Sequence, residues 1–139
     1  MAEKACHAFG STTQVRLIQV LALMDRRTAL LLKLAKFEEP SAPLIEELRH
    51  LGWDWSGDPL LVLDAEHFLN IMDRFLSGEL SAELVEEWAE NLESREDVGF
   101  ATGREDLLDD MLFCLANPSI NYEISRESIG QLRQRLLEG

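Results

Sequence analysis

Cysteine is scarce in this sequence. The two residues present, Cys6 and Cys114, are far apart and form neither a CxxC pair nor a metal-ligand spacing. That argues against a disulfide framework and for a reducing, cytoplasmic setting. Cys114, inside MLFCLA, is expected as a small core residue. Long apolar runs are missing as well. LIQVLALM (17–24) and ALLLKLA (29–35) are separated by Asp25, Arg26 and Arg27, and neither reaches the roughly 20 residues of a bilayer-spanning helix. The opening MAEKACHAFGSTTQ has no charged region leading into an apolar stretch and a cleavage site, so no signal peptide is expected.

The motifs of common chemistries are absent too. GxxxxGK[ST], GxGxxG and GxSxG do not occur, which leaves phosphate cradles and nucleophile elbows without support. None of His7, His50 and His67 falls in HxxH, HExxH or a Cys/His cluster. Asp106, Asp109 and Asp110 recur at helical spacing, but a di-metal bundle site draws a Glu-x-x-His segment from each of two helices, and no such pair of segments exists here. A solvated face is expected for them, with no metal and no cofactor. No catalytic residue is indicated, and an enzyme using clustered carboxylates with a divalent metal is the least supported reading.

Positive charge is the remaining deficit, and it is confined to one part of the chain. Residues 1–36 carry six cations and two acids, whereas residues 37–139 carry seven cations against 24 acids, within a net charge of −13. A field of one sign repels nucleic acid and anionic membrane and draws basic surfaces. Neither nucleic acid nor membrane is expected as a partner.

What the sequence does hold is a globular composition, with 46% hydrophobic and 28% charged residues over 139 positions, sufficient for one domain with its own core. We read it as a basic, apolar N-terminal helix within 1–37 followed by an acidic helical body over 41–139. Helical periodicity runs nearly throughout and predicts an all-α bundle of about six helices.

The first helix starts at Thr12 or Thr13 and runs to about Phe37, with Val15, Ile18, Leu21, Ala22, Leu30, Leu31 and Leu34 as its apolar positions. A short helix from Ser41 or Ala42 to Leu51 takes Pro43 in its first turn and Gly52 as its stop. After the loop WDWSGDP, LLVL (60–63) reads as a short extended piece. Asp64 caps a helix with Phe68, Ile71, Met72, Phe75 and Leu76 on one face, and Gly78 ends it. Two further helix starts show a hydrophobic staple around a serine cap: Leu80, Ser81 and Val85, and again Ile124, Ser125 and Ile129. Between them, 95–103 is expected as a connector and 104–118 as a helix with Leu107, Leu108, Met111, Leu112 and Leu115 inward.

Two features stand out as candidate interaction sites. Trp53 and Trp55 flank Asp54 in a polar loop. Such a pair either folds back as a lid on the core or stands out as an aromatic anchor for a partner. The second feature is SAELVEEWAENLESRED (81–97), with seven carboxylates and the single cation Arg95. On a helical wheel Glu83, Glu86, Glu87, Glu90 and Glu93 fall between about 280° and about 40°, and Leu84, Val85, Trp88 and Leu92 between about 100° and about 200°. The apolar set, Trp88 included, should face the core. The glutamates are then left for solvent or for a basic partner, with Asp97 at the following turn.

Residues 64–100, DAEHFLNIMDRFLSGELSAELVEEWAENLESREDVGF, resemble an uncharacterised family of small acidic helical bacterial proteins marked by RFLxGELSA followed by VEEWAxxLExRED. The resemblance extends from about Leu48 to the end, through the LANP of 115–118, and leaves the basic N-terminal helix outside. The segment is also loosely similar to the colicin-type immunity proteins that neutralise bacterial toxins. That likeness implies a non-enzymatic, intracellular interaction protein of immunity or antitoxin type, whose partner is a basic, toxin-like protein. The alternative is a structural homo-oligomer, most simply a homodimer paired through the N-terminal helix.

Overall fold

The structure, a computed structural model, describes residues 26–51 and 58–138. The expected helix start at Thr12 or Thr13, the apolar positions Val15 to Ala22, the stop at Gly52 and the pair Trp53 and Trp55 lie outside those residues. Within them the expected all-α architecture is present, with six helices and one short two-stranded sheet.

The first helix, α1, is described over 26–36 and buries Leu30, Leu31, Leu34 and Ala35 in one stripe. It ends at Phe37, whose φ of 55° is left-handed and whose N–H closes onto the Lys33 carbonyl at 3.0 Å. Glycine is usual there because a side chain costs about 1–2 kcal/mol in that conformation. Phe37 holds it because its ring is buried in the core. The carbonyls left over at this helix end are satisfied from other helices. Trp88 Nε1 donates to Ala35 O at 2.8 Å, and Arg74 donates to Lys36 O and Phe37 O, each at 2.9 Å.

Next comes α2 (Ser41–His50), which follows Pro40 and buries Ser41, Leu44 and Leu48. A strand, β1 (Leu61–Leu63), leads into α3 (Ala65–Leu76). Asp64 caps α3 as expected: Oδ1 accepts from Glu66 N at 3.0 Å and His67 N at 3.3 Å, while Asp64 N–H donates to His67 Nδ1 at 3.1 Å. This is a reciprocal capping box with histidine in place of the usual glutamate. Gly78, at φ 89°, lets the chain turn back after α3, so that its own N–H reaches Phe75 O and the Glu79 N–H reaches Arg74 O.

Both staples form. Ser81 Oγ accepts from Leu84 N at 3.2 Å to start α4 (Ala82–Leu92), with Leu80 and Val85 buried together. Ser125 and Ser128 exchange hydrogen bonds at 3.1 and 2.9 Å to start α6 (Arg126–Glu138), with Ile124 and Ile129 buried. Between them lies α5 (Glu105–Ala116).

One expectation is corrected. The segment 95–103 is not only a connector, because Val98–Phe100 forms β2 and pairs in parallel with β1, Leu61 opposite Val98 and Leu63 opposite Phe100. The Asp97 carbonyl accepts both the Leu60 N–H (2.9 Å) and the Leu61 N–H (3.2 Å), which fixes the register. Gly99 is required by close approach, since a Cβ there would stand 2.9 Å from Pro59 Cγ.

The helices enclose one apolar core. At its centre Phe68 of α3 meets Trp88 of α4 edge to face, with centroids 5.4 Å apart and planes at 88°. Leu63, Ile71, Met72, Leu92, Leu108 and Met111 are fully buried as well, with Leu30, Leu31 and Leu34 of α1 and Leu48 of α2. α4 lies against α5, and α3 against α6.

Candidate functional site

α4 is fixed by what it buries, namely Val85, Trp88, Ala89 and Leu92. Leu84 does not join them: it is 37% exposed, contrary to expectation. On the wheel it stands at the edge of the apolar sector, at about 100°, whereas the buried four span about 140° to 240°. The glutamates take the opposite face, with Glu83, Glu87 and Glu90 exposed and Glu86 and Glu93 partly covered. Two of them have uncharged partners. Glu87 accepts from Ser41 Oγ, and Glu93 Oε2 accepts from Asn117 Nδ2 at 3.3 Å.

Among the described residues no cation forms an ion pair with Glu83, Glu86, Glu87, Glu90 or Glu93. Crowding has an electrostatic consequence. The Glu90 carboxyl, though exposed, is raised above its ordinary value by the desolvation that its neighbours impose, then by Glu86, and by the charges of Glu87 and Glu93.

Asp97 does not belong to this surface, and its place in the acidic set is corrected. It is 2% exposed. Arg27 Nη1 reaches its Oδ2 at 2.9 Å, while Arg95 Nε and Nη2 reach its two oxygens at 2.9 Å each. Burial pushes its carboxyl upward, but the hydrogen bonds and charges of Arg95 and Arg27 outweigh that and hold it below the ordinary value. Arg95, the lone cation of the acidic string, thus turns inward to a structural partner.

Other groups are occupied by the fold. The one Glu-x-x-His segment, Glu47 to His50, is spent on internal contacts. Glu47 binds Arg26, and His50 Nδ1 lies 2.8 Å from Glu46 O. A polar groove of about 800 Å³ opens beside α3, lined in part by Lys36, Glu66, His67 and Arg74. His67 and Arg74 there serve as caps for α3 and α1. Among the described residues, no group of three or more His, Cys, Asp or Glu is placed to hold a metal ion, and no helix is long and apolar enough to cross a membrane.

Among the exposed apolar side chains that sequence reasoning did not single out, three gather in sequence around the end of α5. Phe113, Ile120 and Tyr122 are 43%, 70% and 54% exposed around the end of α5. The signal for Phe113 was present, since it falls off the face formed by Leu108, Met111, Leu112 and Leu115. Ile120 and Tyr122 lie in a turn, where periodicity says nothing.

No protein-family model matches the chain, and no curated protein or solved structure matches it significantly.

Proposed function

We propose that this chain is a non-enzymatic protein-interaction module that presents the acidic face of α4 to a basic surface on another protein. In this reading it is an immunity-like or antitoxin-like factor of the bacterial cytoplasm, where the free, buried thiol of Cys114 is chemically at home. The observation that carries the reading is the set of five glutamates on one helix face that no described cation pairs with. Like charges at i, i+4 cost about 0.2–0.5 kcal/mol each. A surface that only needed to be wet is served as well by mixed charge, so an uncompensated face at a stability cost fits a partner that supplies the cations.

The test is affinity capture from the source cells at low and high salt, using the wild type and a Glu83→Gln, Glu86→Gln, Glu90→Gln variant. A partner should be retained by the wild type at low salt, released as salt rises, and captured poorly by the variant. Retention that ignores both salt and the three substitutions would rule the reading out.

A further inference from the structure

The end of α5 and the turn after it carry three exposed apolar side chains, a candidate platform, on a hydrogen-bonded frame. Asn117 Nδ2 donates to Phe113 O at 2.9 Å and to Glu93 Oε2 at 3.3 Å. The Asn117 carbonyl accepts from Ile120 N at 3.2 Å and from Asn121 Nδ2 at 2.9 Å. One asparagine therefore ties α4, α5 and the turn together, and it holds the chain at Phe113, Ile120 and Asn121, in the stretch where Phe113, Ile120 and Tyr122 are exposed.

Acids border this platform. Glu93 is joined to it through Asn117, Asp109 lies one turn before Phe113 on α5, and Glu123 follows Tyr122. Asp110, also on α5, faces Arg135 of α6 at 3.4 Å. An apolar centre within a charged rim is the usual anatomy of a protein interface. The rim also selects the occupant. A second copy of this chain would bring an identical acidic border and a net charge of −13 against it, whereas a basic segment meets opposite charge at Glu93, Asp109 and Glu123.

We infer that Phe113, Ile120 and Tyr122 seat the apolar face of a basic amphipathic helix from another protein, with its lysines or arginines set against Glu93, Asp109 and Glu123. This rests on α4 being a surface for a basic partner, and it names the part of that partner that is held.

Three synthetic helical peptides of equal length test it by calorimetry on the full chain. One has lysines and a leucine face, its twin has glutamine for each leucine, and a third has glutamate for each lysine. The lysine–leucine peptide should bind at least about tenfold more tightly than its glutamine twin, about 1.4 kcal/mol. Phe113→Ser with Ile120→Ser, both at exposed positions, should erase that advantage while leaving the circular dichroism and the twin's affinity unchanged. Equal binding of the two lysine peptides overturns the platform and leaves the acidic-surface reading standing. If neither lysine peptide binds, both fall together. Binding of the glutamate peptide as tight as that of the lysine–leucine peptide overturns the basic occupant. A dimer in light scattering that Phe113→Ser with Ile120→Ser dissolves would make the occupant a second copy, and would equally overturn it.

Discussion

A carboxylate with almost none of its surface in water would ordinarily take up a proton, and Asp97 does the reverse because two guanidinium groups surround it. The same geometry sets what its removal costs. Asp97→Ala would remove the buried carboxylate that both Arg27 and Arg95 reach, and breaking one side of a buried pair costs about 3–5 kcal/mol. Urea unfolding should show that loss as a lower midpoint. The pH dependence follows with a definite sign. The folded carboxyl titrates below the 3.8 of an ordinary aspartate, so between the two values the unfolded chain binds more protons than the folded one. Its contribution is complete above about pH 4 and is lost as pH falls through the lower, folded value. The wild type should therefore lose stability more steeply than Asp97→Asn on acidification below about pH 4, as read by urea midpoints at stepped pH. Parallel curves would mean that Asp97 is not ionised in the folded state.

At the scale of the element, α4 holds two opposed demands. Val85, Trp88, Ala89 and Leu92 anchor it, with the Trp88 indole also closing the end of α1, while Glu90 has Glu86 one turn before it and Glu93 nearly one turn after. Glu90→Lys converts three like-charge neighbours into attractive ones. It should raise stability by about 0.5–1 kcal/mol, measured as an increase in urea midpoint without change in m-value. In the proposed role the same substitution weakens partner binding, the trade expected where a surface is kept for function.

How far the elements could be read from sequence also divides by scale. Asp64, Ser81 and Ser125 announce helix starts because a cap is a local bond between a side chain and backbone two or three residues on. Gly78 marks an end for the same reason. The β1–β2 pair was only half legible. A parallel partner 37 positions away leaves no local mark, and three residues are too few to show alternation. Asp97 was misread for a related cause. In sequence it extends an acidic string, and its burial depends on Arg27, 70 positions away.

Over the whole molecule, the charge imbalance seen along the chain becomes a spatial contact. Cations of α1 meet acids that follow it in the chain, with Arg26 on Glu47, Arg27 on Asp97 and Lys33 on Glu39 at 4.0 Å. The outer two pairs are about half exposed and add little each, and the buried pair is poorly screened by salt. Attraction across α1 is thus insensitive to ionic strength or small. Repulsion is neither, because the glutamates of α4 stand at the surface of a chain of net charge −13. Raising salt from low levels to about 0.5 M, where the screening length drops to a few ångströms, should relieve more repulsion than it removes attraction. The melting temperature should then rise by about 2–5 °C. The association proposed above should weaken over the same range, so stability and binding move in opposite directions in one salt titration. A melting temperature that fell with salt would place the dominant electrostatic term in the contact between α1 and the residues that follow it, and would take away the uncompensated repulsion at α4 from which the partner is argued.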